Sequence, residues 1–190
     1  MARRSSTRIF QAQAGFTLVE SLVSLSVAAI LAALGAPSLS DLASRQAVKA
    51  EADEFRQVLR RTRTEAVRRA TQVTVCALDP SSTADAPACV PTGQNWSAGW
   101  VLFVDRGDRG EIEEGDQVLA VHQASERIGS ISGTLRYVTF QSLGISSSAA
   151  SNFKFRPEGA DPLESNPDGS LLVCVNKPGR TRVLKASACS

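Results

Sequence analysis

The sequence predicts an α+β fold in which a long N-terminal helix packs on an antiparallel sandwich of two β-sheets. One observation is an apolar run from Phe16 to Ala36, followed by a helical pattern of apolar residues that ends near Ala70. The other is a series of short strand patterns after Ala70, separated by glycine-rich turns, which is typical of a sandwich. The 190 residues suffice for one domain and an N-terminal extension.

The first element, residues 16–36, has the length and composition of a membrane-spanning helix. Its 21 residues contain one charged side chain, Glu20, and a helix of this length crosses a bilayer core of about 30 Å. An unpaired charge within a membrane is costly, so Glu20 indicates a function. The preceding residues, 1–15, contain three arginines and no acidic residue. They are predicted to be a leader peptide.

Three interpretations fit this N-terminus: a secretory signal cleaved near the end of the apolar run, a plain membrane anchor, and a helix freed by cleavage between Gly15 and Phe16. In the third interpretation the new amine of Phe16 lies one helical turn from Glu20. Glu20 of one subunit can then pair with the N-terminus of its neighbour, which would set the register of an assembly.

The residues from Gly15 to Glu20 read G-F-T-L-V-E, and with the basic leader and Pro37 they closely resemble the type IV prepilin class. The resemblance implies cleavage after Gly15 by an inner-membrane prepilin peptidase and N-methylation of Phe16. It also implies assembly into a pilus or pseudopilus with other major and minor pilins or pseudopilins. The expected location is the cell inner membrane, single-pass with a periplasmic domain, and a pilus or pseudopilus after assembly.

Residues 37–70 predict an amphipathic helix that continues into the globular domain. Apolar positions at i, i+3, i+4, i+7 and i+11 form one stripe: Phe55, Val58, Leu59, Thr62 and Ala66. Many arginines occupy the other positions. We interpret them as a solvent-exposed face in preference to a nucleic-acid site.

Residues 71–190 predict a β-rich periplasmic domain. Seven segments have strand patterns: 72–78, 100–105, 117–122, 135–141, 152–156, 171–176 and 182–185. Glycines recur in the turns between them, which favours antiparallel pairing.

Four cysteines lie in this domain: Cys76, Cys89, Cys174 and Cys189. They form no C-x-x-C motif and His122 is the only histidine, so beside an export signal disulfides are favoured over a metal site. Four cysteines allow three connectivities, and the sequence leaves the choice open. Pairing Cys174 with Cys189 would close the hairpin at the C-terminal end of the chain. Pairing Cys76 with Cys89 would close the earlier loop, which contains Cys89.

The segment 95–105 reads N-W-S-A-G-W-V-L-F-V-D and resembles the W-x-x-G-W-x-x-F-x-D strand of the GspH/FimT minor pilin family. The order of elements also resembles that family: an arginine-rich helix, a V-T-V-C strand, the segment 155–159 (F-R-P-E-G) and a C-terminal hairpin. The resemblance implies a long N-terminal helix followed by a β-sandwich. It also implies a low-abundance subunit at the tip of a type IV pilus or a type II secretion pseudopilus.

The last twenty residues, 171–190, contain no acidic side chain. They carry four basic residues: Lys177, Arg180, Arg182 and Lys185. Pro178-Gly179 predicts a turn, after which Arg180 and Arg182 project to the same side of a strand, about 7 Å apart. That spacing suits phosphates along a nucleic-acid strand. The segment G-R-T-R from Gly179 resembles the G-R-x-R motif of the FimT branch and implies capture of double-stranded DNA for uptake. The alternative is an exposed basic hairpin without a ligand.

Motifs for enzymatic chemistry are absent from the sequence. No glycine-rich phosphate loop follows a strand, and residues 129–133, the string nearest to G-x-S-x-G, have isoleucine in place of the serine. We therefore predict no catalytic residue, no cofactor and no metal. The acidic segment 105–116 is interpreted as a solvated turn in preference to a calcium site. His122 has no evident partner in the sequence, so we expect a surface residue.

The sequence thus predicts a minor type IV pilin that assembles into or primes a pilus, with DNA binding through the C-terminal hairpin as a hypothesis. The alternative function is that of minor pseudopilin H of a type II secretion system, a structural tip adaptor in protein secretion that contacts other pseudopilins and no nucleic acid.

Overall fold

The predicted long helix and the sandwich of two antiparallel sheets are both present. The structure, a computed structural model, describes residues 17–83, 85–148, 150–161, 163–185 and 187–189, with the side chains of 33–38 left out. The elements in chain order are α1 (Leu18–Arg69), β1 (Val73–Ala77), β2 (Gly99–Val104), β3 (Gln117–Gln123), β4 (Ile128–Gly133), β5 (Tyr137–Phe140), β6 (Ser151–Pro157), β7 (Leu171–Val175) and β8 (Thr181–Leu184).

The chain divides into two compact units, Met1–Leu39 and Ser40–Ser190, and α1 contributes residues to both. In the first unit, Thr17 caps the helix, since its Oγ1 accepts a hydrogen bond from the backbone N–H of Glu20 at 3.2 Å. The apolar side chains that the structure describes in this unit are exposed. Within the described part of the chain, no helix combines the length and apolar character needed to span a membrane.

In the second unit, α1 ends in a Schellman motif at Ala70. The N–H of Thr71 donates to the carbonyl of Ala66 at 3.2 Å, and the N–H of Ala70 donates to the carbonyl of Val67 at 3.3 Å. Ala70 has φ of +51°, a left-handed conformation in which glycine is usual. The helix therefore ends with some backbone strain.

The strands form two four-stranded sheets, and all named pairs are antiparallel. The strand order is β3-β2-β1-β5 in one sheet and β4-β6-β7-β8 in the other. Strand β6 alternates buried and half-buried residues, as expected for a strand with one face in a core. Strands β1 and β2 are buried on both faces.

The main core lies between the second half of α1 and the two sheets. Phe55 is fully buried at its centre, with its ring 4.7 Å from that of Phe153 and 5.0 Å from that of Trp100, both in edge-on geometry. Most of the predicted stripe is buried with it, while Val58 is half-buried. Every buried residue of the described chain lies within Ser40–Ser190. That unit therefore contains the whole described core.

A smaller cluster covers the outer face of the first sheet. It contains Cys76, Leu78, Val101 and Phe103. The disulfide between Cys76 and Cys89 fastens the following loop over it. The structure explains why the segment 95–105 has glycine between its two tryptophans. A Cβ on Gly99 would lie 2.0 Å from the carbonyl oxygen of His122 in β3. Only glycine allows the two strands to pair at this point.

All seven predicted strands are present, and one strand was missed. Strand β4 contains residues 129–133, the string nearest to a nucleophile turn, and Ile131 is its one fully buried residue. It is a strand because it pairs with β6, whose Phe153 and Phe155 supply the apolar surface.

Candidate functional site

The turn between β7 and β8 is held by three hydrogen bonds around Asn176. Its backbone N–H donates to the carbonyl of Arg180 at 3.1 Å, and its carbonyl accepts from the N–H of Gly179 at 2.8 Å. Its side-chain Oδ1 accepts from the N–H of Arg180 at 2.8 Å. The start of β8 is therefore fixed by local contacts, as the Pro-Gly sequence predicts.

The loop that contains Gly144 and Ser146 packs against this turn. Gly179 has φ of +79°, and a Cβ there would lie 2.8 Å from the carbonyl oxygen of Gly144. The N–H of Ser146 donates to the carbonyl of Lys177 at 3.0 Å. Residue 179 must therefore be glycine both for its backbone conformation and for this close approach.

A disulfide fastens the chain end to the same hairpin. Cys174 in β7 is bonded to Cys189, with a Cα–Cα distance of 5.8 Å. Cys174 lies opposite Arg182 in the β7–β8 register, so the disulfide is attached to the strand beside this arginine. The structure thus contains the two cysteine pairs that would close the hairpin and the earlier loop.

Arg180 and Arg182 form one wall of a groove of about 920 Å³ whose other wall is α1. The helix wall consists of residues at i, i+3, i+4, i+7 and i+8, which share one helix face: Arg60, Arg63, Thr64, Val67 and Arg68. The hairpin wall consists of Gly179, Arg180, Thr181 and Arg182. We call this the arginine groove; five arginines line it, and none of its described lining residues is acidic.

The charges of these arginines are unequally balanced. Arg68 forms an ion pair with Glu65 at 2.7 Å. The pKa of Glu65 is lowered, most by its hydrogen bond with Arg69 and next by its hydrogen bond with Arg68. In the part of the chain described, no carboxylate lies within 4.0 Å of Arg60, Arg180 or Arg182. All three are exposed. The groove therefore presents positive charge that no carboxylate of the described residues neutralises at these three arginines.

The structure does not bring all four predicted basic residues together. Lys177 is exposed on the turn but does not line the groove. Lys185 lines a separate groove with Arg45 and Asp168, where Arg45 forms an ion pair with Asp168. The hydrogen bond and charge of Arg45, with a smaller effect of Lys185, lower the pKa of Asp168.

Sequence reasoning missed the helix wall of the groove. The sequence predicts only a general solvent-exposed face for Arg60, Arg63 and Arg68, and the structure places them opposite the hairpin. Their spacing could have shown that they share one side of the helix. It could not have shown which distant segment faces them.

The prediction that His122 is a surface residue without partners is wrong. Its Nε2 lies 2.9 Å from Oε2 of Glu51 and its Nδ1 lies 3.2 Å from Oε1 of Glu54, both on α1. The ring stacks on Trp100 with 4.1 Å between centroids. Burial alone lowers the pKa of His122, but the hydrogen bond with Glu51 and the charges of Glu51 and Glu54 outweigh it and raise the pKa above 6.5.

The acidic segment 105–116 uses its carboxylates to hold its own backbone. Asp116 accepts hydrogen bonds from the N–H groups of Arg106 and Glu113, and Glu113 accepts one from Asp108. Asp105 accepts from Thr74 at 2.6 Å, and burial raises the pKa of this carboxyl. Among the residues that the structure describes, no group of three or more potential ligands is placed to hold a metal ion.

The processing residues are only partly within the described chain. Gly15 and Phe16 lie outside the described residues. Glu20 is exposed, and its backbone N–H bonds to the Thr17 cap. Its predicted pairing with a neighbouring N-terminus remains a prediction.

Two sequence families match the chain. Residues 51–188 match the family described as Type II transport protein GspH. Residues 10–36 match the prokaryotic N-terminal methylation motif, which carries the predicted cleavage site. No curated protein is significantly similar in sequence.

Solved structures with a similar fold include the type IV minor pilin FimU of Pseudomonas aeruginosa strain PAO1 in two crystal forms. One has a TM-score of 0.54 at 16% identity over 75% of this chain and 91% of FimU. The other has a TM-score of 0.52 at 17% identity over 73% and 93%. The minor pseudopilin EpsH of the Vibrio cholerae type 2 secretion system aligns with a TM-score of 0.46, at 17% identity over 72% and 95%. The FimU matches support the helix-and-sandwich fold.

Proposed function

We propose that this chain, which belongs to the Type II transport protein GspH family of minor pilins and pseudopilins, is a minor type IV pilin that binds double-stranded DNA through its C-terminal hairpin. The family consists of structural subunits, so the proposed activity is binding and assembly. FimU, which shares the fold, is a type IV minor pilin and supports the choice of a pilus.

The observation that carries the DNA proposal is the presentation of Arg180 and Arg182. Arg180 ends a turn that is fixed by hydrogen bonds and a glycine, and Arg182 lies two residues further on in β8, opposite a disulfide-bonded cysteine. Both are exposed, and neither has a carboxylate within 4.0 Å in the described chain. Arginine binds phosphate with charge-assisted, often bidentate hydrogen bonds. Two exposed guanidinium groups on a fixed backbone are suited to contacts with the DNA backbone, and such contacts carry no sequence information.

The experiment is a fluorescence-anisotropy titration of a labelled DNA duplex with the full-length chain in detergent. We expect binding that does not depend on the DNA sequence. The logarithm of the association constant should fall linearly with the logarithm of the salt concentration. Replacing Arg180 and Arg182 together by alanine should remove most of the binding. Replacing Arg61 of α1 by alanine is the control, since this arginine is exposed but lies neither on the hairpin nor in the arginine groove. If the double variant binds DNA as tightly as the parent, the DNA proposal is wrong.

Assembly is proposed to follow the prepilin route. A prepilin peptidase would cleave after Gly15, Phe16 would be methylated, and residues 16–36 would anchor the chain in the inner membrane before it enters the fibre. The match to the N-terminal methylation motif over residues 10–36 supports this route. Glu20 is proposed to pair with the amine of Phe16 in a neighbouring subunit, because a carboxylate in a bundle of apolar helices needs a partner.

The test compares Glu20→Ala with the parent chain in cells. The variant should be inserted and cleaved normally but recovered in sheared fibres in much smaller amounts. Glu20→Asp is the matched control, because it keeps the charge. Normal incorporation of the alanine variant would refute the pairing.

The second candidate function is a tip adaptor of a type II secretion pseudopilus, supported by the description of the matching family. The neighbouring genes distinguish the two, since a secretion operon favours the adaptor and pilus genes favour the pilin. Deletion of the gene should abolish DNA uptake if the chain is a pilin. It should abolish protein secretion if the chain is an adaptor.

A further inference from the structure

We infer that the backbone of one strand of the bound DNA duplex runs along the arginine groove, where Arg60 and Arg63 of α1 contact phosphates opposite Arg180 and Arg182. This inference rests on the proposed function of the hairpin and extends it to a second wall. The sequence interpretation assigned no ligand to the helix arginines. The sequence predicts a site of four basic residues on the hairpin alone. The inferred site instead has two walls, one from the hairpin and one from α1.

The charge distribution supports a polyanionic occupant. Like charges that face each other across a groove repel, and Arg60, Arg180 and Arg182 have no carboxylate within 4.0 Å in the described chain. Arg68, at the end of the helix row, is by contrast paired with Glu65. An anion between the two walls would neutralise charges that have no partner among the residues described by the structure.

The arrangement of the cations favours a strand over a small anion. From Arg60 to Arg68 the helix face extends about 12 Å, at about 1.5 Å per residue. Phosphates along a strand succeed one another well within this length, so a row of arginines can contact several of them. A single phosphate or sulfate would leave most of the row without a partner.

Arg63 also links the two walls. Its Nη1 lies 3.5 Å from the carbonyl oxygen of Gly179, and a Cβ on Gly144, in the loop that supports the turn, would lie 3.0 Å from its Nε. Its position is therefore set by the hairpin that it faces. Arg60 has no such contact among the described residues, and it is the cleaner position for a test.

The experiment repeats the duplex titration with Arg60→Gln, using Arg61→Gln as the matched control. Arg61 is the next residue on α1, is exposed, and has no carboxylate within 4.0 Å in the described chain, but it does not line the groove. One lost phosphate contact lowers the salt slope by about 0.9 and weakens binding about 8-fold at 0.1 M salt. Arg61→Gln should change affinity less than about 2-fold, and Arg60→Lys should keep the parent's slope.

The outcomes separate this inference from the proposed function. A smaller salt slope for Arg60→Gln, with an unchanged slope for Arg61→Gln, supports binding in the groove. Equal affinities for the two glutamine variants, with binding still lost when Arg180 and Arg182 are replaced, would overturn the groove and leave the hairpin proposal intact. Absence of DNA binding by the parent would overturn both. Displacement of DNA by polyglutamate at equal charge concentration would indicate an acidic protein partner and overturn the nucleic-acid assignment.

Discussion

The contact between Glu51 of α1 and His122 of β3 is predicted to make the stability of the sandwich depend on pH. Oε2 of Glu51 lies 2.9 Å from Nε2 of His122, and its Oε1 accepts a hydrogen bond from the N–H of Ser125 at 2.7 Å. Glu51 is 6% exposed, so water competes little for either bond. The carboxylate therefore joins the helix to the strand and to the loop after it.

The perturbation is Glu51→Gln, which keeps the shape of the side chain and removes its charge. Hydrogen bonds to charged groups contribute about 1.5–3 kcal/mol, and the amide oxygen still accepts one of the two. We expect the free energy of unfolding to fall by about 2 kcal/mol at pH 6. Glu54 also faces His122 but is exposed, so Glu54→Gln, the control, should cost about 0.5 kcal/mol.

The sign of the pH dependence follows from the raised pKa of His122. A histidine whose pKa is higher in the folded state contributes its full stabilisation below the unfolded pKa of about 6.5. It loses this contribution as the pH rises through the folded value. The cost of Glu51→Gln should therefore be smaller at pH 8.5 than at pH 6, where the imidazole is charged. Bonds to the neutral ring and to Ser125 account for the cost that remains.

The assay is urea unfolding of residues 40–190 at both pH values, with the midpoint and slope fitted for each variant. This fragment contains every buried residue of the described chain. A cost of Glu51→Gln that is equal at both pH values, or larger at pH 8.5, would refute the charged contact.

Three further predictions concern the backbone and the hairpin. Ala70→Gly should raise the free energy of unfolding by about 0.5–1 kcal/mol in the same assay, because residue 70 has a left-handed φ; a loss would contradict the strain. Gly179→Ala should weaken DNA binding without changing any charge, whereas Gly159→Ala, at a positive φ but in open space, should not. Replacing Cys174 and Cys189 by serine should lower stability by about 3 kcal/mol in thermal unfolding, and an unchanged melting temperature would contradict this.

The parts of the fold that the sequence predicts are those encoded by local periodicity. The helix ends within one residue of the predicted position, and seven strands lie where alternation and turn residues indicated. Strand β4 was missed because its glycines and serines have low strand propensity. Its pairing with β6 makes it a strand, and that contact is not local.

The candidate site shows the same division. The turn around Gly179 follows from a dipeptide, and the common side of Arg180 and Arg182 follows from strand alternation. The opposite wall comes from α1, and Arg63 meets Gly179 across a sequence separation of 116 residues. The contact of His122 with Glu51 is also long-range, because the two residues are 71 positions apart in the sequence. No local pattern reports contacts over such distances.

The two disulfides also bear on how the domain acquires its covalent structure. They close loops with sequence separations of 13 and 15 residues. Any exchange of partners between the two pairs would need loops roughly seven times longer, at an entropic cost of about 1.7 kcal/mol per bond in the unfolded chain. Oxidation of the unfolded chain should therefore favour the native pairs from proximity alone. The hairpin would be covalently closed early, with little need for disulfide isomerisation.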